Sequence, residues 1–151
     1  HINIYSQSNL EIGRWLSNFS FSPINLNEGR FDSVEGYWYF LLTGNQELKK
    51  LSGFEAKKVG RLSLKEIESK IIIDETFKNK IKKAIDIKLK TYLDKTKEFS
   101  KTDLPLCHYY ENELNNRTDA GYEWITEHYE LRRTQLKEYY YNKEIIKLIN
   151  Y

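Results

Sequence analysis

The apolar positions change period several times along the chain, and each change marks an element. "INIYS", residues 2–6, alternates apolar and polar side chains with the period of a strand. Alternation returns in "FSFSPINLNEGRFDS", where Asn27-Glu28-Gly29 supplies a hairpin turn and Gly29 is free to take positive φ. The spacing then lengthens to that of helices. Ser33 is placed to cap a helix over roughly 34–43 that ends at Thr43-Gly44, and Asn45 caps the next, "NQELKKL". "GFEAKKVGR" reads as a short third helix closed by Gly60. Ser63, three residues before Glu66, forms the capping box of a fourth, "SLKEIESKI".

The longest periodic segment runs from Asp74 to about Lys97. Phe77, Ile81, Ala84, Ile85, Leu89, Tyr92 and Leu93 recur at helical spacing and lysines fill the other face. Pro105 ends the helical region, so "LPLCHYY" is extended, and "ENELNNRTDAG" is polar and turn-like. A helix from about Gly121 carries Tyr122, Ile125, Tyr129 and Leu136 on one side, and a weaker one closes the chain through "KEIIKLI". These elements predict a single α+β domain over residues 1–151, mainly α, with a small antiparallel sheet from the N-terminal third.

Composition narrows the classes. The 151 residues suffice to bury roughly two thirds of the unfolded chain's surface. With 12 tyrosines and 30% charged residues, many rings must sit half-buried, either as stacking walls for a ligand or as a by-product of AT-rich coding. No run reaches the roughly 18 apolar residues of a membrane helix, and no leader pattern opens the chain, so a cytoplasmic protein with no membrane partner is expected. Methionine is absent, and His1 reads as a trimmed or appended first residue. Cys107 is the only cysteine, which excludes an internal disulfide and a cysteine zinc site. Net charge is +2, yet residues 49–101 carry 16 Lys/Arg against 8 Asp/Glu. That stretch is either a solvated helical face or a surface for phosphates or nucleic acid.

Several chemistries are excluded by missing motifs. There is no glycine-rich phosphate loop, no nucleotide fingerprint, no G-x-S-x-G elbow and no H-E-x-x-H pair. Three histidines, His1, His108 and His128, are too scattered for a metal site, and adjacent Cys107 and His108 on a strand point to opposite faces. What remains is polar residues set in aromatic sequence: Arg14, Trp15, Ser17, Asn18 and Phe19 in "GRWLSNF", Glu35 in "FDSVEGYWYF", Lys57 and Arg61 in "AKKVGR". Glu35 falls in the first turn of its helix, where the dipole favours the carboxylate and neighbouring rings disfavour it. Such a group serves as a general acid or base, stabilises a developing cation, or merely caps its helix.

"INIYS", "LSNFSFSP", "F-x-S-x-E-G-Y-W-Y", "AKKVGR" and "LCH" occur in an order and spacing that resembles the NADAR (YbiA-like) family, with the close matches over roughly residues 2–61. The resemblance implies a compact, mostly helical α+β fold and N-glycosidase activity. Family members cut ribosyl C–N bonds, some removing ADP-ribose from guanine in DNA and others acting on riboflavin intermediates. It also implies Glu35 as the catalytic group, aided by Asn18 and His108. Arg14, Trp15, Ser17, Phe19, Gly36, Trp38, Lys57, Arg61, Glu113 and Asn116 would bind substrate, with His108, Glu111, Glu113 and Asn116 falling where the family's later motif lies. The expected partner is an ADP-ribose-containing small molecule or ADP-ribosylated DNA, without metal or cofactor. The chain departs from the family where His-Tyr-x-Gln and a lysine usually follow the glutamate: Gly36, Tyr39 and Leu42 stand there, and "ENELNNRTDAGYEWITEH" replaces a Trp-Gly-x-Gly segment. The readings left open are a glycosidase, a non-catalytic module that sequesters an NAD-derived nucleotide, and a helical domain that binds nucleic acid through its lysines.

Overall fold

A computed structural model describes residues 1–67 and 72–150. Strand β1 (Ile2–Asn3) is followed by α1 (Glu11–Leu16), the hairpin of β2 (Ile24–Leu26) and β3 (Gly29–Phe31), α2 (Val34–Thr43), a 3-10 turn over Gln46–Lys50, and α3 (Gly53–Ile67). Then come α4 (Glu75–Thr91), α5 (Leu93–Ser100), β4 (Leu106–Cys107), β5 (Tyr109–Glu111), β6 (Arg117–Asp119) and α6 (Glu123–Ile149). The architecture is α+β and mainly helical. Among the described residues, no helix is long and apolar enough to cross a membrane.

The expected N-terminal hairpin forms, with Leu26 paired to Gly29 across Asn27-Glu28 and φ of +131° at Gly29. β1 goes elsewhere: it runs parallel to β4, Ile2 opposite Leu106 and Asn3 opposite Cys107. The Asn3 amide extends that pairing, donating to the Tyr109 carbonyl at 3.1 Å and accepting from its N–H at 3.0 Å. Two stretches more than 100 residues apart in sequence are thereby locked together, and Tyr5 and Ser6 arrive beside His108 and Tyr110.

Helix α2 starts and stops where its residue types require. Ser33 Oγ accepts from the Gly36 N–H at 3.0 Å and donates to the Leu51 carbonyl at 2.9 Å, while Gly44 closes the helix at φ +73°. Its inner side buries Val34, Tyr37, Trp38 and Tyr39 in the one core that also holds Phe31, Phe77, Ile81, Ile85, Phe99, Ile125 and Tyr129.

Three predicted boundaries move. Gly60 does not end a helix, because α3 runs through it, and its missing side chain instead lets α3 press against the Tyr39 ring. Ser63 is no cap either; it lies buried within α3 and accepts from Asn45 Nδ2 at 2.9 Å, and residues 68–71 of the predicted fourth helix lie outside the described residues. The long helix breaks at Tyr92 (φ −111°, ψ 73°), whose hydroxyl reaches the Pro23 carbonyl at 2.8 Å, so Leu93 opens α5 and is exposed. Conversely α6 is continuous where two helices were expected. It is tied to α4 through Asp86, which accepts from His128 Nε2 at 2.8 Å and from Arg132 Nε and Nη2 at 2.7 and 2.9 Å. Burial opposes ionisation of Asp86, but these donors outweigh it and hold the carboxyl down at about 2.

A Cβ at Gly60 would sit 2.1 Å from Tyr39 Cγ, an atom fixed in the core. Gly60→Ala should therefore destabilise the protein by about 1–3 kcal/mol in urea unfolding, whereas an exposed helical glycine would give roughly 1 kcal/mol of stabilisation on the same change.

Candidate active site

Residues 15–20, between α1 and the hairpin, are held from all sides. The Trp15 carbonyl accepts from Lys88 Nζ and from Ser20 Oγ (2.9 Å), and the Leu16 carbonyl from the Tyr129 hydroxyl (2.9 Å). Ser17 O accepts from Lys88 Nζ (3.2 Å), Asn18 O from the Glu35 N–H (2.9 Å), and Phe19 O from the Gly53 N–H (3.1 Å). Consecutive carbonyls thus receive donors from α4, α6, α2 and the start of α3. The Glu35 and Gly53 N–H groups belong to first helical turns, which need acceptors outside their own helices.

Lys88 departs from the sequence pattern, which places lysines on the solvent face of α4. It is 1% exposed, with Nζ 5.0 Å from the Trp15 ring centre and 2.8 Å from Ser20 Oγ. Burial pulls its ammonium down to about 7.

On the other side of this loop lies a cavity of about 110 Å³. Glu35 lies on its wall with Ser17, Asn18, Phe19, Trp38, Lys57, Arg61 and His108, all expected from the sequence, and with Tyr5, Ser6, Tyr39, Tyr110 and Tyr122. The space is below the roughly 300–1,000 Å³ of a pocket that engulfs a drug-sized ligand. One ring can enter, and the remainder of a larger ligand must lie along the rim.

The rim is aromatic and cationic. Lys57 Nζ stands 5.8 Å from the centres of both the Phe19 and Tyr110 rings, and Phe19 meets Phe54 edge-on at 5.2 Å. Trp38 is packed edge-on by Phe77 and Tyr122 and stacked on Trp124 at 5.9 Å, so its ring is a fixed wall. Desolvation in this setting raises the Glu35 carboxyl to about 7, against the opposing pull of Lys57 and Arg61. Burial lowers the pKa of His108, which keeps the ring neutral.

Five expected site residues lie elsewhere. Arg14 is exposed and donates to the Ser8 carbonyl at 2.6 Å, bracing α1 against the chain before it. Trp15 faces Tyr92 and Lys88 behind the loop. Gly36 provides close packing, since a Cβ there would meet the Leu48 carbonyl at 2.4 Å. Glu113 and Asn116 are exposed at the tip of the β5–β6 hairpin, where Asn112 Oδ1 accepts from the Leu114 and Asn116 N–H groups. Leu42 packs against the core and brings no amine to the cavity. Sequence reasoning missed Ser6, Tyr5, Tyr110 and Tyr122 as wall residues, because they reach the site only through the β1–β4 pairing and the start of α6. Among the described residues, no group of histidine, cysteine and carboxylate side chains is arranged to hold a metal ion.

No protein-family model, curated protein or solved structure matches this chain.

Two stability measurements probe the buried charges. Between pH 4.5 and about 7 the native state keeps the Glu35 proton that the unfolded chain releases, so this group lowers stability as pH rises through that window. Glu35→Gln should be the more stable protein at pH 8, by about 2–3 kcal/mol, with the difference gone below pH 4.5. Lys88 acts in the opposite sense: native protein sheds its proton near 7 while the unfolded chain holds it to 10.5, so its contribution to stability grows over that range. At pH 8–9 Lys88→Met should cost about 1–3 kcal/mol in chemical denaturation, because two buried carbonyls lose a donor.

Proposed function

We propose that this protein is an N-glycosidase that removes ADP-ribose from a nitrogen leaving group, guanine of ADP-ribosylated DNA being the favoured substrate. The observation that carries the reading is Glu35: a desolvated carboxyl raised to about 7, beside two cations, in a cavity that admits one ring. The motif order that resembles the NADAR family supports it, with Asn18, Phe19, Glu35, Lys57, Arg61 and His108 all lining one cavity.

In this reading the diphosphate lies along Lys57 and Arg61, where arginine offers a bidentate fork. The ribose enters and places C1′ near Glu35. The C1′–N bond breaks, its electron pair passing to the base nitrogen, and oxocarbenium character develops at the sugar. Water adds its oxygen to C1′ and gives a proton to the Glu35 carboxylate, and the departing base takes up that proton. A base with a pKa near the working pH combines availability with driving force. Trp38, Tyr39, Tyr110 and Tyr122 exclude bulk water and offer faces and edges to the purine.

A specific observation favours a second reading, capture of an NAD-derived nucleotide without turnover. Glu35 is the only carboxylate lining the cavity among the described residues, and Leu42 stands where the family's lysine falls.

Mass spectrometry of guanine-ADP-ribosylated DNA incubated with protein separates the two. Native protein should release ADP-ribose with kcat/KM rising with pH through about 7 as Glu35 ionises, and Glu35→Gln should release none while still binding ADP-ribose. Arg61→Ala should weaken ADP-ribose binding by about 10-fold or more. Binding by both proteins with release by neither would select the capture reading.

A further inference from the structure

Three buried side-chain atoms lack a hydrogen-bond partner among the described residues: Ser6 Oγ, Asn18 Oδ1 and His108 Nδ1. They come from three parts of the chain, the turn after β1, the loop after α1 and the link between β4 and β5. All three residues line the cavity that holds Glu35. Unpartnered buried polar atoms destabilise a fold, and native proteins keep few of them. Their convergence on one small space marks hydrogen bonds that the folded chain leaves for a ligand.

The chemistry of that ligand follows from the three atoms and their surroundings. Asn18 Oδ1 accepts only, the Ser6 hydroxyl donates and accepts, and neutral His108 does one or the other according to its tautomer. The ligand must therefore offer hydrogen-bond donors that also accept, within the volume of one ring. Adjacent hydroxyls on a sugar meet that demand. A phosphate does not, since it brings acceptors and charge toward Glu35, whereas among the described residues the lysine and arginine lining the cavity are Lys57 and Arg61. The rings beside these atoms meet one another edge-on, Tyr5 with Tyr110 at 69° and His108 with Tyr110 at 73°.

We propose that Ser6, Asn18 and His108 form a sugar-hydroxyl site that demands the 2′-hydroxyl of a ribosyl group and rejects 2′-deoxyribosyl groups. This rests on the reading above in taking a pentose phosphate as the ligand, and it adds the basis of selection. An ADP-ribosyl adduct on DNA carries one ribosyl bond among many deoxyribosyl C1′–N bonds. The adduct's sugar fills the site; the sugars of the DNA leave polar atoms unpartnered and are refused.

Ring-closed methyl furanosides of ribose 5-phosphate and 2-deoxyribose 5-phosphate test this without requiring turnover. In calorimetric or NMR titrations the ribo compound should bind at least about 10-fold more tightly. Ser6→Ala should bring the two affinities together with no loss of thermal stability, since its hydroxyl serves no contact in the fold; Asn18→Ser provides an independent second variant. Equal affinities in the native protein, or binding of neither compound, would overturn the proposal. Ribo preference without release of ADP-ribose from DNA would leave the hydroxyl site standing and sink the glycosidase reading. Release without ribo preference would do the reverse.

Discussion

The backbone of residues 15–19 is the constraint on which the site depends. Its carbonyls accept from the Lys88 ammonium, the Tyr129 hydroxyl and the first-turn amides of α2 and α3. An irregular segment packed inside a domain must have its polar groups satisfied, and here the partners are α2, α3 and α6, which line the cavity, and α4 behind the loop. Four helices are thereby positioned relative to one strip of backbone. Glu35 is placed by its own N–H on Asn18, Lys57 and Arg61 by the start of α3 on Phe19 and the close approach at Gly60, and Tyr122 by α6, which also delivers Tyr129. Moving the loop would disturb the walls that α2, α3 and α6 supply.

The ionisation of Glu35 is set by opposing influences. The first turn of α2 and the cations Lys57 and Arg61 favour the carboxylate, while removal from water disfavours it more strongly. Trp38 is rigid because it is packed from behind by Phe77 and Trp124. Rigidity matters because a mobile wall would admit water and let the carboxyl return to its ordinary value. Rings that look like surplus aromaticity in "FDSVEGYWYF" therefore divide their work: Phe31 and Tyr37 fill the core, and Trp38 and Tyr39 bound the cavity.

Local signals carried well from sequence to structure, and signals that depend on packing did not. Ser33, Gly44 and Asn45 act as caps because capping is decided by a few neighbouring atoms. Gly60 and Ser63 also look like boundary residues, but tertiary packing overrides them: the glycine makes room for Tyr39 and the serine pairs with Asn45. Glu35, Asn18, Phe19, Lys57 and Arg61 were legible because they sit on adjoining elements of the first 61 residues. Ser6 and Tyr110 were not, since only the parallel pairing of β1 with β4 brings them in. Arg14 and Trp15 misled through proximity in sequence, for a turn of α1 points them to the back of the loop that Asn18 faces from the front. Lys88 was hidden among many lysines of α4, with no local sign that this one turns inward.

Lys88 and Glu35 are both withdrawn from water and opposite in charge, yet neither figures among the groups that set the other's ionisation. Each engages the same loop through a different atom: Lys88 through its ammonium at the Trp15 and Ser17 carbonyls, Glu35 through its main-chain N–H at Asn18. Direct pairing would satisfy both charges and hold the carboxyl low, as the donors around Asp86 do. Such a carboxylate would be a weak base near neutral pH. Separation by one layer of backbone lets the lysine organise the loop while the glutamate stays near 7, and the fold bears two partly uncompensated groups as the cost. That division is not stabilisation alone: the lysine satisfies the loop carbonyls, but a glutamine at position 35 would spare a purely structural core the cost of ionising a buried carboxyl near neutral pH.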